Sequence, residues 1–158
     1  MLYRLLIIFS LPLMLTHFVF SSEIRNFRTD GCTLAPDGTV TKPQLWKECC
    51  IAHDMWYWGG GTKKERQQTD INLKLCIEKK AGPFIAKLFI IGVHLGSFSP
   101  FKIEGKRWGN AWNNRTTDYF ALTIQQKKLL LKHMELIQGH SQIVDIYRKY
   151  LKQSSSAW

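Results

Sequence analysis

The chain has 158 residues, four cysteines and a formal net charge of +10 at pH 7. This length is enough for one domain with a modest hydrophobic core, and neither a repeat nor a linker divides it. The basic residues occur as scattered pairs without a nucleic-acid-binding motif. The charge therefore favours an anionic membrane surface over nucleic acid as partner, with solubility as the alternative reason for it. No partner signal is present, so we expect a monomer.

Residues 1–21 are predicted to be a signal peptide. Arg4 gives a basic start, an apolar run follows from Leu5 to Phe20, and Val19 and Ser21 fit the small-residue positions of a cleavage site. An uncleaved anchor is the alternative, but this run is shorter than the roughly 20 residues that span a bilayer. We therefore expect a secreted protein, extracellular or periplasmic, with a single domain over 22–158.

Three capping boxes predict where helices begin. In a capping box, a Ser or Thr and a Glu or Gln three residues later satisfy free N–H groups at the helix start. The boxes begin at Thr41, Thr62 and Thr123. The first predicted helix ends near Trp58, before three glycines, and the second ends near Lys80, before Ala-Gly-Pro.

The C-terminal part of the chain is predicted to be a helical hairpin. The helix that follows Thr123 is expected to end at Gly139, and Ser141 then caps a last helix over 142–152. Strand signals are weak throughout the chain. We therefore expect a mainly α fold class, with this hairpin packed on the rest.

The first predicted helix carries most of the residues that could perform chemistry. Cys49 and His53 are four residues apart and share one face, while Cys50 and Asp54 share the neighbouring face. Each face therefore has one thiol and one ionisable group, and each needs its own partner.

The second predicted helix can serve the face of Cys49 and His53. The short glycine turn predicts antiparallel packing, in which the numbers of facing residues have a nearly constant sum. The sum is 125 for Cys49 with Cys76 and 123 for His53 with Asp70. One register therefore accommodates a Cys49–Cys76 disulfide and a His53–Asp70 contact.

The face of Cys50 and Asp54 is left to a turn-rich loop. The remaining cysteine, Cys32, lies in DGCTLAPDG at 30–38, so a Cys32–Cys50 disulfide would hold this loop over the Asp54 carboxylate. A carboxylate beside free backbone carbonyls is a ligand set of the calcium type. A zinc site of His53 with the three helical cysteines is the competing hypothesis, but adjacent cysteines point to different faces and chelate poorly.

The sequence CCIAHDMWY at 49–57, followed by an Asp six residues before a Cys, resembles the core of the secreted phospholipase A2 superfamily. DGCTLAPDG is similar to the calcium loop of that superfamily, in the form closest to the group XII-like branch. The likeness covers about residues 30–77. It implies two antiparallel disulfide-linked helices with a calcium loop, and calcium-dependent hydrolysis of the sn-2 ester of glycerophospholipids.

The resemblance also implies roles for individual residues. His53 is expected to be the general base acting through a water, Asp70 to orient it, and Tyr57 to steady Asp70. The imidazole titrates near neutrality, which suits a base that takes and returns a proton. The expected calcium ligands are the side chain of Asp54 and backbone carbonyls around Gly31, Thr33 and Ala35.

Two features depart from the family pattern. Trp56 and Thr69 stand where the family has the two halves of a further disulfide, and their joint change fits a reduced set of bridges. The usual N-terminal amphipathic helix is also missing. The apolar segment from Phe84 to Leu95 is either a buried core helix or a lining of the substrate channel and its rim, and Trp108 and Trp112 suit either a membrane interface or core anchoring.

The competing function is a non-catalytic basic protein on the same scaffold that binds or disrupts membranes. Loss of His53, Asp54 or Asp70 would favour it, and all three are present. No GxSxG motif occurs, and all four cysteines are assigned to bridges, so a water activated by His53 is the predicted nucleophile.

Overall fold

The computed structural model describes residues 24–98, 107–112 and 119–153, so the predicted signal peptide lies outside the described residues. The helices are α1 (Lys47–Gly59), α2 (Lys63–Phe98), α3 (Ile124–Met134) and α4 (Ser141–Gln153). Pairing of the strand type is confined, within these ranges, to one antiparallel bridge between Ile24 and Trp112. The mainly α fold class is confirmed for this part of the chain, and none of its helices is long and apolar enough to cross a membrane.

A glycine turn reverses the chain between α1 and α2. Gly60 and Gly61 have φ values of 75° and 147°, which favour glycine, and the Gly60 N–H closes the end of α1 by donating to the Trp56 carbonyl at 3.0 Å. The capping box predicted at the start of α2 is confirmed. The Thr62 N–H donates to Glu65 Oε2 at 2.6 Å, and the Glu65 N–H donates to Thr62 Oγ1 at 3.2 Å.

The predicted start of α1 was wrong, because the Thr41 capping box does not form and the helix begins at Lys47. A different threonine organises this segment: the Lys42 N–H donates to both the carbonyl and the side chain of Thr39. The Trp46 N–H and indole N–H then donate to the carbonyls of Asp37 and Pro36. These bonds hold the segment in successive turns, so the helix cannot start until they are complete.

Both predicted disulfides are confirmed. Cys32 joins Cys50 across 18 residues, and Cys49 joins Cys76 across 27 residues. All four cysteines are therefore consumed, which excludes the zinc hypothesis. In the chain-entropy model, loops of these lengths stabilise the fold by about 3 kcal/mol each.

α2 is two helical segments joined at a break. Gly82 has φ 84° and ψ 169°, outside the helical region, and Pro83 follows it, so the predicted interruption is confirmed. The first segment pairs with α1. The second segment, 83–98, contains the stretch from Phe84 to Leu95 that was expected to be a core helix or a channel lining. It is apolar on two faces. Ala86 is buried and Phe89 packs edge-on against Trp46 on one face, while Phe84 on the other is 72% exposed.

The hairpin of α3 and α4 packs on α1, as predicted. Its buried residues join Ile51, Met55 and Trp58 of α1 in one core, and they are Leu130, Met134, Ile143, Val144, Tyr147 and Leu151. The capping box at Thr123 is confirmed. However, α3 ends at Met134, earlier than the predicted Gly139. The N–H groups of the next three residues, 135–137, each donate to the carbonyl three residues earlier, so the chain continues in tight turns.

Trp112 belongs to the core, as one of its two alternatives predicted, whereas Trp108 is half-buried and lies outside the core cluster. The Trp112 indole N–H donates to the Gly59 carbonyl at 2.9 Å, and only 7% of this residue is exposed. The Trp108 indole N–H donates to the Gly61 carbonyl at 2.8 Å. Both side chains therefore satisfy carbonyls at the turn between α1 and α2.

The hydroxyl of Tyr147 meets the last residue of α1. A Cβ atom added at Gly59 would overlap this hydroxyl oxygen and would lie 2.9 Å from the Tyr147 Cζ. Tyr147 is fully buried, and among the described residues its hydroxyl has no hydrogen-bond partner. The close approach of α4 to α1 therefore depends on the absence of a side chain at Gly59.

Candidate functional site

His53 of α1 and Asp70 of α2 form a hydrogen-bonded pair between the two antiparallel helices. The Nε2 of His53 lies 2.9 Å from Asp70 Oδ1, and Asp70 is 8% exposed. When Asp70 is ionised, this contact places the imidazole proton on Nε2, because a carboxylate only accepts. The Nδ1 atom of His53 is then left as the proton acceptor of the ring.

Tyr57 completes the surroundings of the Asp70 carboxylate. Its hydroxyl donates to the same Oδ1 at 2.9 Å, and its ring lies 4.2 Å from the imidazole, centroid to centroid. Burial, followed by the charge of Asp70, raises the pKa of Tyr57 well above its usual value. The phenol therefore stays protonated and remains a donor to Asp70 across the physiological range.

Arg66 extends this chain of hydrogen bonds, and sequence reasoning missed it. Its Nε–H donates to the Tyr57 hydroxyl oxygen at 3.1 Å, and its Nη1 donates to the hydroxyl of Tyr119. The guanidinium also lies 5.8 Å from the centroid of the Tyr57 ring. Because Arg66 donates to the phenol oxygen, the phenol proton is directed to Asp70. The available signal was spacing, since Arg66 lies four residues before Asp70 on the same helix face.

Glu65 connects the start of α2 to the C-terminal hairpin. Its carboxylate accepts from the N–H and the hydroxyl of Thr62, both at 2.6 Å, and from the hydroxyl of Tyr150 on α4. Burial alone would raise the pKa of Glu65, but the hydrogen bonds from Thr62 and Tyr150 outweigh it and hold that pKa below its usual value. One carboxylate thus caps α2 and binds α4.

Asp54 lies at the base of the predicted calcium loop. Its Oδ2 accepts from Thr29 Oγ1 at 2.7 Å, and Thr29 Oγ1 in turn accepts from the Gly31 N–H at 3.1 Å. On the inner side of the loop, the Cys32 N–H donates to Asp37 Oδ1 at 2.8 Å. Sequence reasoning missed the contacts of Thr29 and Asp37, because each depends on how the loop folds back.

The predicted calcium loop contains backbone oxygens without a hydrogen bond. Within the described part of the chain, the carbonyl oxygens of Gly31, Thr33 and Ala35 accept no hydrogen bond, whereas the Cys32 carbonyl is used by the Ala35 N–H. Calcium binds carboxylate and carbonyl oxygens of this kind. The described residues contain no cluster of three or more His, Cys, Asp or Glu side chains suited to a metal, and a site of one carboxylate and carbonyls needs none.

A small cavity lies beside His53, between α1 and the first segment of α2. Its volume is about 60 Å³, which is room for about two water molecules and too little for an acyl chain. It is lined by Cys49, Ala52, His53, Trp56, Thr69, Asn72, Leu73 and Cys76. Trp56 and Thr69 occupy the positions where the resembled family has a disulfide, and both line this cavity.

These two positions form other contacts in place of that bridge. The Trp56 ring packs 4.8 Å from the Tyr147 ring and 4.3 Å from the Tyr150 ring, centroid to centroid. Thr69 Oγ1 donates to the Glu65 carbonyl within α2 at 2.8 Å. Trp56 therefore couples α1 to the C-terminal hairpin, next in the chain to Tyr57.

A scan against protein-family models found no match for this chain, and searches of curated proteins and of solved structures found none either.

Proposed function

We propose that this protein is a secreted, calcium-dependent hydrolase of the phospholipase A2 type, which cleaves the sn-2 ester of glycerophospholipids to a free fatty acid and a lysophospholipid. The observation that carries the proposal is the His53–Asp70–Tyr57 chain of hydrogen bonds on two antiparallel helices. The proposal is supported by the agreement between the motif that resembles the family and the geometry that a general base of this type needs. Disulfides, which persist in oxidising compartments, agree with secretion.

The proposed chemistry begins at His53 Nδ1. This atom takes a proton from a water molecule as the water oxygen attacks the ester carbonyl carbon. The imidazolium that results is stabilised by the Asp70 carboxylate at Nε2, and Tyr57 keeps that carboxylate in place. Nδ1 then returns the proton to the leaving alkoxide, so the lysophospholipid leaves as an alcohol and His53 is neutral again.

Asp54, with the carbonyls of Gly31, Thr33 and Ala35, would hold the calcium ion. Bound there, the ion would supply a Lewis acid for the ester carbonyl and a positive charge for the phosphate. The chain's own contribution is to fix these oxygens on one rigid element, because the Cys32–Cys50 disulfide ties the loop to α1 one turn before Asp54.

A second candidate function is membrane binding or disruption without chemistry. It is favoured by the net charge of +10 and by large apolar side chains that remain exposed on α2. Both functions predict binding to anionic membranes, so binding alone does not separate them. Release of fatty acid does.

The decisive experiment compares His53→Gln with the wild type on anionic phospholipid vesicles, with calcium and with chelator. Glutamine cannot accept a proton at neutral pH, so release of fatty acid should fall by about 10²–10⁴-fold while vesicle binding is unchanged. His133→Gln is the matched control, since His133 lies on α3 and its ring bonds to the Leu129 carbonyl. Equal leakage from wild type and His53→Gln, with no fatty acid from either, would establish the non-catalytic function instead.

A further inference from the structure

The second segment of α2, residues 83–98, exposes a row of large apolar side chains. Phe84, Leu88, Ile91 and Leu95 are 72%, 50%, 45% and 66% exposed. Their spacing of three or four residues places them on one side of the helix. We name this row the outer face of α2.

The outer face is distinct from the side of the helix that serves the core. Ala86 is fully buried, and Ile85, Phe89 and Val93 pack against the cluster that contains Trp46 and the Cys49–Cys76 disulfide. An amphipathic helix would place polar residues on its opposite side. This helix instead has apolar residues on both sides, so its outer face is available for a partner.

The area of the outer face argues against a second copy of the chain. With about 150–250 Å² for a large side chain, these exposed fractions correspond to roughly 400–500 Å². A stable protein interface needs about 800 Å² from each partner. A lipid surface has no such minimum, because each side chain inserts independently.

The surrounding charge identifies the kind of lipid surface. Lys87 is exposed one turn from Phe84 and Ile91, and Lys79 and Lys80 are exposed just before the break at Gly82. The chain as a whole carries +10. Lysines near an apolar helix face attract anionic headgroups while the apolar side chains enter the acyl boundary.

We propose that the outer face of α2 is the surface by which this protein docks on anionic membranes, with Phe84, Leu88, Ile91 and Leu95 inserted and Lys87 on the headgroups. The inference rests on the proposed function, because a lipid hydrolase must reach its substrate in a membrane. It goes further by assigning the contact to a segment separate from His53, Asp54 and Asp70.

The test is sedimentation with vesicles of phosphatidylcholine and phosphatidylglycerol, with calcium present, using full-length Phe84→Glu/Leu95→Glu. We expect the partition coefficient to fall by about 10- to 100-fold, because two large apolar side chains can no longer be inserted. Leu136→Glu/Ile146→Glu is the matched control, since these residues are 70% and 58% exposed on the C-terminal hairpin. Equal weakening by both variants would overturn the assignment.

Three further results decide what occupies the face. Binding of the wild type to pure phosphatidylcholine should be weaker and nearly independent of salt; equal binding to both vesicle types would overturn the charge argument.

Sedimentation equilibrium without lipid should give a monomer for every variant. A wild-type dimer that Phe84→Glu/Leu95→Glu dissociates would assign the face to a second copy, and a large loss of melting temperature in that variant would assign it to the chain itself.

Hydrolysis of a short-chain phospholipid dissolved as monomers separates this proposal from the proposed function. Phe84→Glu/Leu95→Glu should retain wild-type hydrolysis of the monomers, because the docking face is not part of the reacting site. If the wild type fails to hydrolyse them, the hydrolase proposal fails, and the vesicle measurement still decides where the protein docks.

Discussion

The contact between Gly59 and Tyr147 gives the sharpest stability prediction. Ala at position 59 would improve the intrinsic helix propensity of α1 by about 0.5–1 kcal/mol. Its Cβ, however, would overlap the Tyr147 hydroxyl and lie 2.9 Å from Cζ and 3.4 Å from a Leu130 methyl. Overpacking of this kind costs about 1–3 kcal/mol. We therefore expect Gly59→Ala to destabilise the protein by about 1–2 kcal/mol.

Tyr147→Phe should have the opposite effect. Burial raises the pKa of Tyr147 far above its usual value, so the phenol is neutral, and its hydroxyl has no partner within the described residues. An unpaired buried hydroxyl costs about 1–3 kcal/mol of desolvation. Phenylalanine keeps the ring contacts with Trp56 and Tyr150, so we expect a net stabilisation of about 1 kcal/mol.

A double-mutant cycle tests the geometry that both predictions share. With Phe at position 147, the overlap with oxygen is gone and only the ring contact remains. The cost of Gly59→Ala should therefore fall by about 1 kcal/mol, a coupling that distant sites do not show. Urea unfolding followed by far-ultraviolet circular dichroism gives each free energy, and unchanged m values would validate the comparison. Additivity within about 0.5 kcal/mol, or destabilisation by Tyr147→Phe, would refute the reasoning.

Three further predictions concern the site. Asp54→Asn should weaken calcium binding about tenfold or more in titration calorimetry, with the melting temperature of the calcium-free protein unchanged. Asp70→Asn should lower kcat by about 10²–10⁴-fold, because the amide no longer fixes the imidazole tautomer or offsets the charge of the imidazolium. Arg66→Met should lower kcat by about tenfold, because the Tyr57 hydroxyl loses the donor that directs its proton to Asp70. Finally, the lowered pKa of Glu65 means that the unfolded chain binds its proton more readily, so stability is lost as the pH falls below the usual value of 4.5; Glu65→Gln should flatten that loss in acid unfolding.

Matched surface variants control for nonspecific effects. Asp145→Asn and Arg148→Met break an exposed ion pair on α4 and should leave calcium binding and kcat unchanged. A wild-type kcat in Asp70→Asn or in Arg66→Met would contradict the assigned hydrogen-bond chain. For Glu65, acid unfolding that is unchanged in Glu65→Gln would show that other carboxyl groups dominate.

Local signals in the sequence predicted the parts of the fold that local chemistry decides. The boxes at Thr62 and Thr123 form between side chains and N–H groups only three residues apart. Cysteine spacing predicted both disulfides, since helix periodicity separates the faces of Cys49 and Cys50. The same periodicity placed His53 opposite Asp70.

The missed features depend on contacts between distant parts of the chain. The box at Thr41 lost to the turns that Thr39 organises with Lys42. The Asp37 carbonyl then accepts from the Trp46 N–H, from outside the helix. The contact of Arg66 with Tyr119 could not be predicted, because Tyr119 lies far along the chain. The exposure of Phe84 could not be predicted either, because composition says how apolar a helix is and not which of its sides is covered.

The adjacency of Cys49 and Cys50 makes the thiol redox state a condition for assembling the site. One disulfide holds the loop beside Asp54 and the other holds the helix that carries Asp70, so a reduced chain loses both attachments at once. The combined contribution of about 6 kcal/mol is comparable to the whole stability of a small domain, about 5–15 kcal/mol. We therefore expect the reduced chain to be far less stable than the oxidised one, a difference that unfolding curves with and without reductant would measure. Under the proposed function, this would protect the membranes of the producing cell during synthesis.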